Sequence, residues 1–542
     1  MDEDLKRLNA IKKNTHNTVN AVGYSQAARQ SFLVRPCKGS NPFIPITTMI
    51  FSEKLLENFL IFANVLPLVG SLIVATLNKS KPGDIKKVAL NFSFLPLIPY
   101  FFIWGSLVSS TGKPQFTKSL LWLPSLNLNI TLGVDGISLF FILLTIILIP
   151  LCLLSSWNSI QHDLKSYFIS FLVLEFLLIN AFCVYDVLFF YIFFESTLIP
   201  MFLIIGVWGS RERKVIASYY FFIYTLFGSV LMLLSIIYIY YQSGTTDYEL
   251  LVAYDFSLTE QKCLWFCFFV AFASKVPMMP VHLWLPEAHV EAPTAGSIIL
   301  AGILLKLGTY GFIRFSLPFF TEASFFFTPL VYTLSVMGIV YASFTALRQT
   351  DLKRVVAYTS VAHMNVVMLG IFSFNCVGIE GAIVQSLSHG FVASALFATI
   401  GVVYERHKTR LIKYYGGLVH TMPLYTFIFL FFTMANIGFP GTSGFVGEFL
   451  ILTGSFKVNS SVTFFGASGM ILGGCYALWL FNRISFGNIK NQYILKTLDI
   501  NKREAFMFLP LAAYTIILGV TPNACLSVIH MSVNTLVENL YI

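Results

Sequence analysis

About fourteen apolar segments run along this chain, each close to the roughly 20 residues that an α-helix needs to cross a bilayer. The sequence is 56% apolar and only 11% charged, whereas soluble domains carry about 25% charged residues. Because lipid offers the backbone no hydrogen-bonding partner, such segments have to fold as helices. We therefore predict an all-α polytopic membrane protein. The predicted segments are 55–77, 87–109, 136–156, 166–184, 187–208, 215–241, 261–281, 295–316, 325–347, 352–372, 377–404, 421–452, 463–486 and 505–531.

Basic residues are unevenly distributed between successive loops of this predicted bundle. Twenty lysines and arginines follow odd-numbered segments, and five follow even-numbered ones. Since basic loops stay on the cytoplasmic or matrix side of a membrane, the bias predicts that both termini lie on the opposite, outer side. The net charge of +9 is then a topology signal and not a sign of nucleic-acid binding. The five exceptions are Lys113, Lys118, Lys262, Arg314 and Lys457.

Two segments contain helix-breaking motifs. Segment seven holds the stretch Ser274-Lys275-Val276-Pro277, and segment twelve holds a glycine- and proline-rich stretch at 438–444 that Glu448 soon follows. Such breaks free carbonyl groups that need protein or water partners. Broken helices five segments apart are typical of transporters built from repeated units, so we expect two inverted five-helix repeats with sites at the breaks. The predicted breaks are at Pro277, Gly438, Pro440 and Gly441.

A few ionisable residues lie deep inside the predicted segments, each on a different one. A charge at the bilayer centre costs roughly 2.5–3.5 kcal/mol on insertion scales, so its presence indicates a function. Acids, lysines and imidazoles together are the groups that a proton relay needs. For the two histidines, a structural hydrogen bond between helices remains an alternative. The six candidates are Glu195, Lys275, Lys306, His363, His389 and Glu448.

Other polar residues receive structural interpretations. Asp135 and Asp186 stand at segment edges, where we predict helix caps, and Glu175 has no neighbouring motif that marks a function. The eight cysteines form no CxxC and no Cys/His cluster, and glycine-rich phosphate-binding motifs are absent. The sequence thus supports neither a metal centre nor a nucleotide site in this chain. A set interpreted as shaping a connecting loop, rather than binding metal, is His282, His289 and Glu291.

Several stretches resemble the signature of the antiporter-like subunits of respiratory complex I (NADH:ubiquinone oxidoreductase). The resemblance covers about residues 55–530. It implies that Glu195 and Lys275 form an ion pair, that Lys306, His363 and His389 form a central hydrophilic axis, and that Glu448 is the terminal carboxylate. Our hypothesis is that charge states change in the order Glu195, Lys275, Lys306, His363, His389, Glu448. The matching stretches are 274–277, His282-Leu283-Trp284-Leu285-Pro286-Glu287-Ala288-His289, 292–297, 303–311 and the run from Phe439 to Phe449.

The resemblance also implies a function. It predicts a proton-translocating subunit without a cofactor of its own, because flavin, iron–sulfur clusters, NADH and ubiquinone are handled by other subunits. Its expected partners are other membrane-arm subunits, including sister antiporter-like chains, and membrane lipids. The expected location is the mitochondrial inner membrane, with a bacterial plasma membrane as the alternative. A subunit of an Mrp-type cation/proton antiporter and a purely structural scaffold remain as alternative functions.

The sequence predicts two regions. Residues 1–50 form a polar N-terminal extension outside the resemblance, and residues 51–542 form the transmembrane domain. The extension is rich in lysine and arginine like a transit peptide, but it opens with Asp2, Glu3 and Asp4, and transit peptides are poor in acids. A cleaved presequence and a retained extension therefore both stay open.

Overall fold

A computed structural model describes residues 53–490 and 498–541, so the predicted extension over 1–50 lies outside the described residues. The chain is mainly helical, as expected. The helices of its first half are α1 (Glu53–Thr76), α2 (Pro82–Phe94), α3 (Leu97–Ser106), α4 (Gly136–Ser155), α5 (Leu164–Cys183), α6 (Val187–Ser196), α7 (Leu198–Trp208), α8 (Lys214–Ser243) and α9 (Tyr248–Val252). They are followed by α10 (Leu258–Lys275), α11 (Trp284–Glu291), α12 (Thr294–Ile299), α13 (Leu305–Gly311), α14 (Leu317–Phe319), α15 (Thr321–Arg348), α16 (Leu352–Ile371) and α17 (Cys376–His407). The last are α18 (Leu418–Thr421), α19 (Pro423–Ile437), α20 (Ser443–Val458), α21 (Ser460–Ser485), α22 (Lys502–Val520) and α23 (Asn523–Tyr541).

Twelve helices or continuous helix pairs of the described residues are long and apolar enough to cross a membrane. The two predicted segments missing from that set are the seventh and the twelfth, whose helices are interrupted. If segments seven and twelve also cross the membrane as broken helices, the number of crossings is fourteen. That number and the two inverted repeats stay predictions. The predicted all-α class is confirmed, with one departure. Strands β1 (Gln115–Leu123) and β2 (Leu128–Val134) form an antiparallel hairpin in the loop before α4.

The prediction of one continuous segment over 505–531 is wrong, because the structure has two helices there. Helix α22 ends at Val520, because Pro522 has no N–H to continue the helical ladder, and α23 begins at Asn523. The buried residues of α23 recur every three or four positions, which gives the helix one apolar face. That face packs against α4 and α17. The C-terminal helix therefore covers the ends of these two helices.

Ion pairs show that loops after odd-numbered segments meet at one end of the bundle, which we call the basic end. Arg211 lies 3.9 Å from Asp351, and Arg406 lies 2.7 Å from Glu504. These pairs join the loops after segments five and nine, and after eleven and thirteen. The shared location agrees with the alternation that the lysine and arginine distribution predicts.

The opposite end of the bundle carries the two predicted caps. Asp135 accepts a hydrogen bond from the N–H of Ser138 at the start of α4, and Asp186 accepts one from Phe189 at the start of α6. Asp135 also pairs with buried Arg314 at 2.6 Å. The sequence assigned Arg314 to a loop, but it lies in a π-helical turn at Phe312–Ser316. Its charge is tolerated there because Asp135 balances it.

Candidate functional site

The first predicted break lies where the sequence places it. Helix α10 ends at Lys275, and α11 begins at Trp284. The carbonyls left free at the end of α10 find new donors, since Met278 N–H donates to Ala273 O at 3.0 Å and the Trp284 indole donates to Ser274 O at 2.8 Å. The break is therefore a satisfied structure inside the protein, as a buried interruption has to be.

Lys275 is buried at the end of α10, being 1% exposed. Its Nζ has no hydrogen-bonding partner within the described parts of the chain, and it lies 4.5 Å from the centroid of the Phe194 ring. Glu195, the next residue on α6, is the carboxylate whose charge acts on Lys275. Glu195 and Lys275 are not in salt-bridge contact in this structure, because an aromatic face and not a carboxylate oxygen lies next to the ammonium, so the ion pair stays a prediction. One oxygen of Glu195 is likewise buried without a hydrogen bond.

Lys306 lies between two π-helical turns, Leu300–Leu304 and Phe312–Ser316. It is fully buried, and its Nζ lies 2.5 Å from Ala301 O and 2.8 Å from His389 Nδ1. The wider π turn places the Ala301 carbonyl, five residues back, within reach of the side chain. An ammonium can only donate, so a protonated Lys306 meets a neutral His389 across this contact. The same contact can pass a proton from one nitrogen to the other.

A second contact joins the other histidine to the predicted acid. His363 Nδ1 lies 3.0 Å from Glu448 Oε1, and Gln385 Nε2 donates to the same oxygen at 3.1 Å. The His363 and His389 rings are neighbours, with centroids 5.7 Å apart. The predicted order of these groups is therefore wrong in one respect. The line runs Lys306, His389, His363, Glu448, because α17 carries His389 between Lys306 and the helix of His363.

Two small cavities lie beside the histidines. One, of about 10 Å³, is lined by both His363 and His389 together with Ser388 and Gly444. The other, of about 20 Å³, is lined by His363, Glu448 and Asn436, among others. A water molecule needs about 10–15 Å³ and polar partners, so each has room for roughly one water. Water at these points would bridge the ring nitrogens that direct contacts leave unpaired.

The second predicted break also lies at its expected position and adjoins the acid. Helix α19 ends at Ile437, and Gly438 adopts the left-handed conformation with φ +81°, which favours glycine. A Cβ on Gly438 would come within 2.9 Å of Glu448 Oε2. That oxygen is buried without a hydrogen bond. The break therefore brings bare backbone close to the carboxylate.

Residues outside the six predicted ones also belong to this buried polar region. His289 is fully buried and stacked on Phe397, and its electrostatic neighbours include Lys306 and Lys353. Lys353 is buried at the start of α16 and donates to Ala292 O at 2.8 Å and Ser297 Oγ at 3.1 Å. Lys353 is one of the twenty basic residues that follow odd-numbered segments, so the sequence predicts a loop position for it. Its position two residues after the cap Asp351 indicates a helix start, but nothing in the sequence indicates its burial.

The predicted connecting loop around His282, His289 and Glu291 is wrong for two of these residues. His289 and Glu291 lie on helix α11, which follows the break after α10, and only His282 precedes it. Across the described ranges, no group of three or more His, Cys, Asp or Glu side chains is arranged to hold a metal ion.

Glu175 is fully buried in α5 with both carboxylate oxygens unpaired, and the geometry connects it to none of the six predicted proton-path residues.

Comparisons with known proteins agree on one family. The model of the membrane domain described as "NADH:quinone oxidoreductase/Mrp antiporter, TM" matches residues 184–473, which include all six ionisable positions. NADH-ubiquinone oxidoreductase chain 4 of Marchantia polymorpha is 54% identical over 88% of this chain and 96% of its own length.

Solved structures give the same fold. A chain of respiratory complex I from Thermus thermophilus is 27% identical with a TM-score of 0.81, covering 89% of this chain and 99% of that one. A chain of the Mrp complex from Dietzia is 19% identical with a TM-score of 0.79, covering 90% and 99%, a likeness that shows the fold alone. The likeness to the Mrp chain is limited to the fold, so the 54% sequence identity to the Marchantia protein decides the family. The chain belongs to the family of NADH-ubiquinone oxidoreductase chain 4, the antiporter-like membrane subunits of respiratory complex I.

Proposed function

We propose that this chain translocates protons as a membrane subunit of NADH:ubiquinone oxidoreductase. NADH oxidation and quinone reduction take place in other subunits, and this one converts their energy into proton movement. The observation that carries the proposal is the buried line Lys306–His389–His363–Glu448, whose ends are direct contacts of 2.8 and 3.0 Å. Such a line inside an apolar bundle serves no need of membrane spanning.

Each position in the line suits a transfer step. A proton on Lys306 passes to His389 through their contact. Histidine changes its charge most easily near neutral pH, so it can accept and release within one cycle. The step from His389 to His363 crosses the 5.7 Å between their ring centroids through a water in the adjoining cavity. His363 then delivers the proton to Glu448, which Gln385 holds in place.

Glu195 and Lys275 act as a switch that supplies protons to the Lys306 end of the line. When the carboxylate moves to the ammonium, both remain charged and the lysine keeps its proton. When they separate, burial disfavours the charged lysine, which then releases its proton toward Lys306. Lys275 without a hydrogen-bonding partner, beside the Phe194 ring, corresponds to the separated arrangement.

The remaining assignments follow from membership of a larger complex. Flavin, iron–sulfur clusters, NADH and ubiquinone are bound elsewhere, and this chain holds no redox centre. Its partners are the other membrane-arm subunits, including the sister antiporter-like chains. The chain lies in the mitochondrial inner membrane with both termini on the intermembrane-space side and its basic end in the matrix. Residues 1–50 form a separate extension before the 51–542 transmembrane domain.

The experiment is proton translocation by the purified complex in vesicles. We expect Lys275→Ala and Glu195→Ala each to abolish translocation by this subunit while the complex still assembles. Lys262→Ala is the matched control, because Lys262 lies on the same helix and its amine contacts only the Phe326 ring among described groups. Full translocation by either test variant would refute the proposal.

A different outcome would favour the Mrp-type antiporter. In that case vesicles would develop a sodium-dependent pH gradient without NADH, and the chain would not copurify with an NADH-oxidising assembly. If substitution of all six ionisable residues left both assembly and translocation unchanged, only a scaffold role would remain.

A further inference from the structure

A cavity of about 360 Å³ opens at the basic end, between the last turns of α15 and α21 and the loop after α17. Three cations line it, one from each of these elements: Arg348, Lys413 and Arg483. Its other lining residues are neutral, and no carboxylate is among them. The cavity is therefore a concentrated positive site in a position separate from the buried line.

Neighbouring basic residues form ion pairs with carboxylates, and these three cations do not. At the same end, Arg354 pairs with Glu287 at 2.6 Å and Arg406 with Glu504 at 2.7 Å. None of the three cavity cations forms an ion pair within the described ranges, and two of them contact an aromatic ring. Lys413 Nζ lies 4.8 Å from the Tyr414 ring centroid, and Arg483 lies 5.6 Å from that of Trp479. Three unneutralised cations around one cavity fit an anion, and guanidinium groups match phosphate oxygens well.

The surface that leads to the cavity is apolar. Met337, Tyr341 and Phe344 are 57%, 56% and 53% exposed, and their spacing places them on the same face of α15 as Arg348. Helix α21 packs beside α15 and adds exposed Ile471. From Met337 to Arg348 this face is about 16 Å long, close to the roughly 15 Å hydrocarbon depth of one leaflet.

We propose that this cavity binds the phosphate of an anionic membrane phospholipid, whose acyl chain lies along the exposed face of α15. A free phosphate would use the three cations but would leave the apolar face without a role. A phospholipid uses both, with its headgroup at the depth where tryptophan side chains such as Trp479 prefer to lie. Basic pockets between helices on the matrix or cytoplasmic side are suited to this ligand.

The test uses the assembled complex in phosphatidylcholine nanodiscs that contain increasing fractions of phosphatidylglycerol with a photoreactive acyl chain. Labelled peptides are then identified by mass spectrometry. We expect labelling of the peptides over 337–348 and 471–483. Each cation near a membrane surface contributes about fivefold to affinity. Arg483→Gln should therefore raise the lipid fraction for half-maximal labelling about fivefold, and the triple Arg348→Gln/Lys413→Gln/Arg483→Gln on the order of a hundredfold.

The matched control is Lys79→Gln/Lys81→Gln, which removes two exposed cations of the loop after α1 that do not line the cavity. It should leave the labelling curve unchanged. The proposal is overturned if the single and triple variants label like the unaltered complex. It is also overturned if excess inorganic phosphate removes the label, which would indicate a free-anion site. Crosslinking of these peptides to a neighbouring protein chain in place of lipid would identify a protein interface and equally overturn it.

Discussion

At the scale of single residues, the two buried lysines among the six predicted positions are in opposite situations. Lys306 has two acceptors within 2.8 Å, whereas Lys275 has none and rests against an aromatic ring. A buried ammonium without an acceptor is costly, so Lys275 is the one that benefits most from the approach of Glu195. This asymmetry makes Lys275 the natural place for a switch and Lys306 the natural place for a resting proton.

The order of the line makes His389 indispensable, because its ring nitrogen is the titratable group in hydrogen-bond contact with Lys306 among the described residues. We expect His389→Gln, which keeps polarity but cannot carry a proton, to lower proton translocation at least about tenfold, as loss of a proton-transfer group does. The measurement is the initial rate of acidification in vesicles that contain the purified complex. His407→Gln is the control, since His407 ends the same helix and contacts Tyr415 instead. Equal rates for the two variants would remove His389 from the path.

The six ionisable positions could be identified from the sequence because a charge within an apolar segment stands out. Their spatial order could not, since a single sequence does not show which helices are neighbours. His363 precedes His389 in the chain, yet His389 adjoins Lys306 because α17 packs closest to that turn. The burial of His289 and Lys353 was missed for the same reason. Both stand near prolines or helix ends, which in sequence look like loops.

At the scale of helices, close approach of α17 and α20 fixes the distance between the histidines and Glu448. A Cβ on Gly447 would lie 2.7 Å from the backbone N and Cα of Gln385, so only glycine fits between these helices. The side chain of the same Gln385 orients Glu448. Packing at Gly447 therefore determines the geometry of the acid one residue later.

We expect Gly447→Ala to push α20 away from α17 and to destabilise the protein by about 1–3 kcal/mol, the usual cost of overpacking. The check is the thermal midpoint of the purified complex together with its translocation rate, both of which should fall. Gly83→Ala near the start of α2 serves as control, because an added Cβ there meets nothing within 4 Å. An unchanged midpoint for Gly447→Ala would contradict the close approach.

Helix breaks at proline and glycine could be predicted, and the π turns around Lys306 could not. Pro277 and Gly438 disrupt a helix through their own backbone chemistry, so their effect is local and visible in sequence. The turns at Leu300–Leu304 and Phe312–Ser316 contain no proline, and the single Gly302 does not end the helix, so these turns depend on tertiary packing. The end of α22 was missed although Pro522 marks it, because the apolar pattern continues past that proline.

At the scale of the molecule, the chain combines a rigid helical frame with one buried polar line. The frame follows from apolar composition and loop charge, both of which are properties of the whole sequence. The line and its switch together depend on six helices contributing one ionisable group each, so they exist only when the frame is complete. This is why a change in helix packing, such as one at the Gly447 contact of α20, can alter the transfer path.

The central claim is that protons pass through the buried line, which begins at Lys306. The direct measurement is the ratio of protons moved to electrons transferred from NADH, in vesicles that contain the complex with Lys306→Met. Lys457→Met, at the exposed end of α20, is the control. We predict that Lys306→Met lowers the ratio while the complex remains assembled, and that Lys457→Met leaves it unchanged. An unchanged ratio in assembled Lys306→Met complex would contradict the account.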